Sequence, residues 1–391
     1  MNIAVLSTYP PRECGIASFS KDLKDNISRM GKNVRILAIT DSGAHYRYPS
    51  EVIYEIKQDE RGSFIDAARF VNNSPIDVVV IEHEYGIFGG MDGKYVLDFV
   101  EHLAKPFILT THTVLPNPNF RQKWIMRGLG SKAAAVACMT RRSADLLEGI
   151  YCIPDNKIYV IPHGVPAFKN KSRDKLKKSY GYSGRSIVST FGLIGPGKGI
   201  ENGIRCIGEL APSHPEVLYL VLGETHPALV KQFGESYRDS LVKLVEHLGL
   251  KDNIEFINHY LSMEELGDYL YMTDVYLTPY PNRSQAVSGT LTYAVGCGRA
   301  IVSTPYDYAL DILSNNRGLI SENTNSPGEL AGLIGSILDN PTLKRGLESR
   351  AAKRGKTMTW TNVAKQYINL MGVLIQGNMR GSKFGSLVQT P

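Results

Sequence analysis

The sequence predicts an α/β protein with two doubly wound domains, each built on a parallel sheet. The chain has 391 residues, enough for two or three domains with separate cores. Short runs of β-branched residues recur along it, apolar on both faces, which is typical of parallel strands. Amphipathic stretches alternate with these runs and imply helical, right-handed crossovers. We expect a short linker and a cleft between the two domains.

The first half of the chain contains six runs that we interpret as buried strands. They cover residues 3–6, 34–39, 78–81, 107–111, 134–139 and 158–161. Two helix candidates between them have clear ends, because Ala17 to Met30 stops at Gly31 and Gly93 to Ala104 stops before Pro106. This half therefore predicts one doubly wound domain.

The second half repeats the pattern after a basic polar stretch from Lys169 to Lys178. Strands are expected at 187–191, 218–222, 254–257, 275–277, 300–302 and 318–320, with one long helix from about Pro227 to Leu248. A last helix at about 358–376 carries one apolar face and is expected to pack back on the first domain. The predicted boundaries are 1–165 with that helix, 166–357 for the second domain, and a flexible tail at 378–391.

Composition and charge exclude several classes of protein. Apolar residues make up 43% and charged residues 21%, so disorder and fibrous repeats are excluded. Five cysteines without CxxC spacing argue for a reducing compartment and against a disulfide framework or structural zinc. No signal-peptide pattern follows Met1, so we expect a cytoplasmic protein, and any membrane contact would be weak and peripheral. The net charge of +6 is spread along the chain, which disfavours nucleic-acid binding.

Several loops of the first domain carry residues suited to binding, because ligands of open α/β sheets lie beyond the carboxyl ends of the strands. Gly15 opens a helix whose amides suit an anion, although an ordinary turn fits the same residues. Glu84 is a candidate acceptor of hydrogen bonds from sugar hydroxyls and Tyr85 a stacking ring, with a surface carboxylate and a packed ring as alternatives. His112 follows the fourth strand and is the main catalytic candidate, unless it is a structural histidine.

Two segments of the second domain suggest anion binding. Residues 191–199 follow a strand and open a helix, so their amides and the Lys198 ammonium suit a phosphate; a solvated lysine is the alternative. Gly199 stands where a Walker loop needs Ser or Thr, so this is not a Walker loop. The Ser-Gly-Thr sequence at 288–290 begins another helix and offers two hydroxyls and several amides, or a simple N-cap. Two anion sites in one domain suit a diphosphate.

At these residues the chain resembles the retaining nucleotide-sugar glycosyltransferases of family four, over nearly everything from Met1 to about Gly377. The motifs that carry the resemblance are Tyr9-Pro10-Pro11 with Gly15, the strand end at His112, Val160 to Val165, Gly192 with Lys198-Gly199, and Leu248 to Phe256. The resemblance implies the GT-B fold, in which two Rossmann-like domains face each other across an interdomain cleft. It places the acceptor in the N-terminal domain and the donor in the C-terminal one, and it implies chemistry without a metal or other cofactor.

The resemblance, with the residues discussed above, leads to a set of expected site residues. The expected catalytic residues are His112 and Lys198. The expected ligands of the donor diphosphate are Gly15, Gly195, Lys198, Ser288, Gly289 and Thr290. The expected sugar or acceptor contacts are Glu84, Tyr85, His112 and Gln285, and the base or ribose contacts are Ile257, Tyr260 and Tyr293.

The chain departs from the family pattern at two places. The family usually has two glutamates before an Ala-Met-Ala-Cys-Gly-like helix, but Gln285 and Tyr293 stand at those positions here. The arginine that usually follows the Gly192 position is replaced by Leu193, and Arg283 is a possible substitute. The sequence therefore indicates a divergent subgroup of the family.

The leading hypothesis is retaining transfer of a hexosyl group from a nucleoside diphosphate sugar, GDP- or UDP-linked, to a sugar or glycan acceptor. Mannosyl and glucosyl are guesses for the transferred group. A glycoside phosphorylase on the same scaffold is the first alternative, because it needs phosphate and no ribose-binding glutamate. A sugar-nucleotide-binding module without activity is the second. The sequence leaves the oligomeric state open.

Overall fold

The computed structural model describes residues 1–380 of the chain and divides into two compact units. The first unit comprises Met1–Gly164 and the C-terminal segment from Trp360, and the second comprises Val165–Thr359. Each unit contains one parallel sheet whose strands alternate with helices along the chain, which confirms the predicted fold class. Part of the predicted tail, residues 381–391, lies outside the described residues.

The first unit is built on a seven-stranded parallel sheet in the order β3-β2-β1-β4-β5-β6-β7. Its strands are β1 (Asn2–Ser7), β2 (Asn33–Thr40), β3 (Val52–Lys57), β4 (Val78–His83), β5 (Phe107–Thr111), β6 (Ala135–Cys138) and β7 (Ile158–Val160). Its first helices are α1 (Gly15–Arg29), α2 (Arg61–Asn72), α3 (Tyr95–His102), α4 (Phe120–Lys132) and α5 (Arg141–Gly149). The strand order reverses between β1 and β4, so the connections after these two strands leave the sheet in opposite directions.

The second unit repeats this plan with six parallel strands in the order β10-β9-β8-β11-β12-β13. The strands are β8 (Ser186–Phe191), β9 (Val217–Leu222), β10 (Ile254–Ile257), β11 (Val275–Thr278), β12 (Ala300–Ser303) and β13 (Leu319–Ile320). The helices are α6 (Arg173–Ser179), α7 (Ile200–Leu210), α8 (Pro227–Phe233), α9 (Ser236–His247), α10 (Met263–Met272), α11 (Gly289–Gly296), α12 (Asp307–Ile312), α13 (Pro327–Asp339) and α14 (Pro341–Thr357). Here the strand order reverses between β8 and β11.

The last helix, α15 (Trp360–Arg380), belongs to the first unit and packs along α1. Its first residue, Trp360, is buried, with its ring centroid 5.0 Å from that of Phe19 and 5.6 Å from that of His163. The helix runs beyond the expected end at 376, so residues 378–380 of the predicted tail are helical. No glycine or proline stands between 373 and 376 to stop it, and the helix continues past Gly377.

The second unit differs from the sequence prediction at two helical segments. The long helix expected from Pro227 to Leu248 is two helices, because Gly234 adopts a left-handed conformation (φ +60°) between α8 and α9. The basic polar stretch, for which no element was predicted, forms α6, whose Leu176 is buried in this unit. Two of its cations, Arg173 and Lys177, form ion pairs with the buried Asp274, which explains why so polar a segment is ordered.

Strand β3 is absent from the sequence prediction. It forms the edge of the first sheet beside β2, and only Ile56 among its six residues is buried. Its pairing with β2 also shifts register between Ile36 and Leu37. A short edge strand with one buried side chain lacks the apolar run that identifies a central parallel strand.

The described helices include none that combines the length and the apolarity needed to cross a bilayer.

Replacing Gly164 with alanine tests the packing around Trp360. A Cβ at Gly164 would lie 2.1 Å from the indole ring, so we expect Gly164→Ala to lower the free energy of unfolding. Overpacking of this kind typically costs about 1–3 kcal/mol. Urea denaturation of the single variant and of Gly164→Ala/Trp360→Ala checks this. Gly164→Ala should lower the free energy of unfolding clearly less in the Trp360→Ala background than in the unmodified chain. An equal loss in the two backgrounds would contradict the proposed clash.

Candidate functional site

Two loops meet where the second sheet reverses its strand order. One loop follows β8 and ends at Gly199, and the other follows β11 and begins with Pro279. A Cβ at Gly199 would lie 2.1 Å from the carbonyl oxygen of Pro279, and its φ of +60° suits glycine. Glycine at this position therefore lets the two backbones touch, and the residues next to them, Lys198 and Tyr280, become neighbours.

Lys198 joins a chain of hydroxyl groups at this contact. Its Nζ donates a hydrogen bond to the Tyr280 hydroxyl at 2.9 Å. The Tyr280 hydroxyl shares a hydrogen bond with Thr290 Oγ1 at 2.6 Å, and Thr290 Oγ1 shares another with Ser288 Oγ at 3.1 Å. We call Lys198, Tyr280, Ser288 and Thr290 the lysine–hydroxyl cluster. Three of these residues are in the predicted diphosphate set, so the fold brings distant parts of the sequence together as that prediction requires.

Helix α11 begins at this cluster. Ser288 is its N-cap and accepts a hydrogen bond from the Leu291 backbone amide at 3.3 Å, so the N-cap interpretation is correct for this side chain. Gly289 and Thr290 form the first turn, where helix amides have no carbonyl partner within the helix. Gly192 lies opposite: a Cβ there would be 3.4 Å from Lys198 Nζ and 3.2 Å from Thr290 Cγ2. One ammonium, two aliphatic hydroxyls and helix-start amides thus converge.

Tyr280 is the member of this cluster that sequence reasoning missed. Its ring is buried and stacks on Tyr306 with 5.1 Å between ring centroids. Burial opposes ionisation of the phenol, but the neighbouring Lys198 ammonium and the hydrogen bonds of the cluster hold its pKa below the ordinary value. Its position directly after β11, at the reversal of the sheet, is the signal that identifies it.

The other predicted residues of the second unit lie at varied distances from this cluster. Gly195 starts the turn that carries Lys198, and a Cβ there would be 2.9 Å from Leu229. Tyr293 lies one turn along α11, with its ring 6.0 Å from that of Phe191. Gln285 donates from Nε2 to the Val287 carbonyl at 3.1 Å, so its amide is turned back onto its own loop.

The residues predicted to bind the base or ribose do not all come together. Ile257 ends β10, the outer strand of the second sheet, and Tyr260 follows it with 68% of its surface exposed. Tyr293 belongs to α11 beside the central strands. Arg283, considered as a substitute for the missing arginine, donates to the Glu322 carbonyl at 3.3 Å instead of bonding to the lysine–hydroxyl cluster.

A buried arginine of α9, which bonds to the loop after β9, also escaped the sequence analysis. Arg238 donates from Nη2 to the Gly223 carbonyl at 2.7 Å and from Nε to Thr225 Oγ1 at 3.1 Å. Burial lowers its pKa, against the opposing effect of Glu235 and Glu224. Its Nη1 has no hydrogen-bond partner within the described residues. Arg238 thus fixes the loop after β9, next to the loop that carries Lys198.

The main polar pair of the first unit joins β4 to the loop after β5. His112 Nε2 lies 2.8 Å from Oε2 of Glu82, which is fully buried. Burial raises the pKa of Glu82, against the opposing effect of His112. The imidazole also contacts the edge of the Phe19 ring, at 4.7 Å between centroids. Glu82, which the sequence analysis missed, therefore fixes the orientation of the predicted catalytic histidine.

The remaining predicted residues of the first unit differ in their surroundings. Glu84 is half-buried and accepts a hydrogen bond from the Thr113 hydroxyl, so a polar group does lie after β4. Tyr85 is buried in the core, and its hydroxyl donates to the Gln122 carbonyl at 3.3 Å. The structure therefore places the Tyr85 ring in the core instead of at a surface where a sugar could stack. Gly15 is the first residue of α1, and no atom beyond its neighbours along the chain lies within 4 Å of where its Cβ would be. It belongs to the first unit, whereas the other predicted diphosphate residues belong to the second.

No group of three or more His, Cys, Asp or Glu side chains in the part of the chain described here is arranged to hold a metal ion.

Family models match each of the two units separately. Residues 14–167 match the model described as Glycosyltransferase Family 4, and residues 172–357 match that described as Glycosyl transferases group 1. The two matches lie side by side and fall on the first and second structural units. Together with the two Rossmann-like sheets, the matches place the chain among the glycosyltransferase families of the GT-B class. The chain belongs to family four of these enzymes.

Solved structures and curated proteins show the same likeness at low sequence identity. Anabaena HepE in complex with UDP aligns with a TM-score of 0.75 and 14% identity over 95% of this chain and 100% of that one. Sucrose-phosphate synthase from Thermosynechococcus elongatus aligns with a TM-score of 0.78 and 16% identity over 98% of this chain and 100% of that one. The 2-deoxystreptamine glucosyltransferase of Streptomyces kanamyceticus is 23% identical over 56% of this chain and 54% of its own length. The chain spans about half the length of the curated relatives it matches.

The buried His83 gives the first unit a pH-dependent stability. Neither of its ring nitrogens has a hydrogen-bond partner among the described residues, and burial, aided by His112, lowers its pKa from 6.5 to about 3. Above pH 6.5 the histidine is neutral in both the folded and the unfolded state, and its contribution to the free energy of unfolding is complete. That contribution is lost as the pH falls from 6.5 towards 3, because the unfolded state binds the proton first.

We expect His83→Phe to flatten the decline in unfolding free energy between about pH 6.5 and pH 4. Urea denaturation at a series of pH values measures this slope. His247→Phe, at an exposed histidine of α9, is the matched control and should leave the slope unchanged. A slope for His83→Phe equal to that of the unmodified chain would contradict this role.

Proposed function

We propose that this chain transfers a hexosyl group, with retention, from a UDP-linked sugar to a hydroxyl of a sugar or glycan acceptor. The observation that carries the proposal is the lysine–hydroxyl cluster at the start of α11, since a cation, hydroxyls and free amides suit a diphosphate. The UDP bound by Anabaena HepE, whose fold this chain shares, supports uridine over guanosine. Glucosyl is the proposed transferred group, with mannosyl as the alternative.

In the proposed reaction the lysine–hydroxyl cluster stabilises the leaving diphosphate. The bond between the anomeric carbon and the diphosphate oxygen breaks, and the acceptor oxygen bonds to the same face of that carbon. The acceptor proton passes to the departing diphosphate oxygen. Lys198 and the α11 amides offset the negative charge that develops there, and Tyr280 holds the ammonium in place through its hydroxyl. Preorganised donors of this kind need no rearrangement during the step.

The first unit supplies the groups that we assign to the sugars. His112, oriented by Glu82, contacts the transferred hexose, and Glu84 accepts hydrogen bonds from the acceptor. The Glu82 carboxylate keeps the imidazole in one orientation, as a carboxylate hydrogen-bonded to a histidine ring commonly does. Gln285 and Tyr293 occupy the positions of the usual glutamates, so we propose that the ribose is held without a carboxylate from α11.

A glycoside phosphorylase is the second candidate, and a specific observation favours it. The lysine–hydroxyl cluster suits inorganic phosphate as well as a diphosphate, and no carboxylate stands at 285 or 293 to bind a ribose. In that reaction phosphate would take the glycosyl group from a glycoside, and no nucleotide would take part.

A thermal-shift series with UDP, GDP, ADP, their hexose conjugates and inorganic phosphate separates these functions. We expect UDP and a UDP-hexose to raise Tm, since a ligand at 100 times its Kd stabilises the folded state by about 2.7 kcal/mol. A shift with GDP alone would reassign the base. A shift with phosphate alone would favour the phosphorylase, and no shift with any nucleotide would overturn the donor assignment.

Replacing Lys198 tests the charge in the cluster. Because a preorganised donor to a developing charge is worth about 10²- to 10³-fold in turnover, we expect Lys198→Ala to lower UDP release from a UDP-hexose by that factor. Tyr280→Phe keeps the ring on Tyr306 but removes the link to Lys198, so its loss should be smaller than that of Lys198→Ala.

Lys251→Ala is the matched control for these variants. Lys251 is exposed and pairs with Glu246, outside the lysine–hydroxyl cluster, so its loss should leave turnover unchanged. A fall of less than about tenfold for Lys198→Ala would contradict the assigned role, because even one such donor exceeds that effect.

A further inference from the structure

Three large apolar side chains are exposed on two neighbouring segments of the first unit, the turn that begins at Met91 and the start of α4. Phe120 is 88% exposed, Met91 61% and Trp124 53%. We call these three residues, with Lys94 and Arg121, the aromatic patch. Scattered single apolar residues are normal on protein surfaces, but grouped ones mark an interaction site.

Four of the five residues of the aromatic patch line one depression in the surface, and an ion pair ties the fifth to them. Lys94, Asn119, Phe120, Arg121 and Trp124 line a common shallow pocket. Arg121 also forms an ion pair with Asp92 at 3.0 Å, which ties the turn carrying Met91 to the start of α4. Asp92 holds that turn with a φ of +56°, a conformation uncommon for a residue other than glycine.

Helix α4 turns its aromatic side chains away from the core. Ile125, Met126 and Leu129 are buried and define the inner face. Phe120 and Trp124 are four residues apart and therefore lie on one side of the helix, the opposite one. The capping box of Asn119 and Gln122 fixes the start of the helix, so the exposed rings stand on an ordered element. The helix thus has an apolar outer side as well as an apolar inner one.

The charges on this helix have a single sign. Its thirteen residues include Arg121, Lys123, Arg127 and Lys132 and no carboxylate. A helix with exposed aromatic rings among cations suits the surface of an anionic bilayer, because tryptophan lies at headgroup depth and lysine and arginine bind lipid phosphates. A soluble acidic protein would complement the charge but would not require rings that stand out from the surface.

We propose that the aromatic patch and the basic face of α4 dock this protein on an anionic lipid bilayer, with Phe120, Trp124 and Met91 entering the headgroup region. The proposal does not rest on the proposed transfer reaction. It assigns a function to residues that no step of that reaction uses. It also gives a defined surface to the peripheral membrane contact that the sequence leaves open.

Sedimentation with vesicles tests the proposal on the full chain. We expect binding to mixed phosphatidylcholine–phosphatidylglycerol vesicles, little binding to phosphatidylcholine alone, and release as salt is raised. Phe120→Ser/Trp124→Ser should lower the partition coefficient at least tenfold, and Lys123→Gln/Arg127→Gln should lower it for the anionic vesicles. Phe233→Ser removes an exposed ring from the second unit and should leave vesicle binding unchanged.

Tryptophan fluorescence gives a second measurement that reports on the patch itself. The chain has two tryptophans, and Trp360 is buried, so a change in emission on adding vesicles reports Trp124. We expect a blue shift and protection from acrylamide with anionic vesicles. The proposal is overturned if the chain fails to bind these vesicles, if neutral vesicles bind equally well, or if the double serine variant binds like the unmodified chain.

Discussion

Both units depend on the reversal of strand order in the middle of a parallel sheet. Parallel strands need crossover connections, so a sheet wound in both directions from its centre must contain one point where adjacent loops part. In the second unit this point lies between β8 and β11, and the lysine–hydroxyl cluster forms there. Tyr280 and Ser288 are buried, and a buried polar group without its partner costs stability. The same contacts therefore hold the loops in place and keep the polar groups aligned.

The fold was largely predictable because its central strands are buried on both faces. The run at 107–111 matches the central strand β5 to the residue, and the other predicted strands differ from those of the structure by at most two residues at their ends. The failures have local physical causes. Strand β3 is a half-exposed edge, and one glycine divides α8 from α9. In α6, Arg173 and Lys177 pair with the buried carboxylate of Asp274.

The sequence predicts which candidate residues follow a strand, but it does not predict their hydrogen-bond partners. Lys198, Ser288 and His112 lie in the loops that follow β8, β11 and β5, as their positions in the sequence predict. Their hydrogen-bond partners could not be predicted, because Tyr280 is 82 residues from Lys198 along the chain and Glu82 is 30 residues from His112. Such pairs depend on backbone contacts between loops, which leave no periodic pattern in the sequence. Arg238 escaped for the same reason, since its hydrogen bonds go to backbone and hydroxyl oxygens of a loop.

The second unit is inserted into the first, and its two ends are neighbours. Val165 pairs with Thr359 in a parallel bridge, and the Val165 amide donates to the Met358 carbonyl at 2.8 Å. The first unit is completed only by α15, which packs along α1. During synthesis the whole second unit therefore emerges from the ribosome before the N-terminal unit has all of its parts. The first unit can complete its packing only after the last helix, α15, has been synthesised.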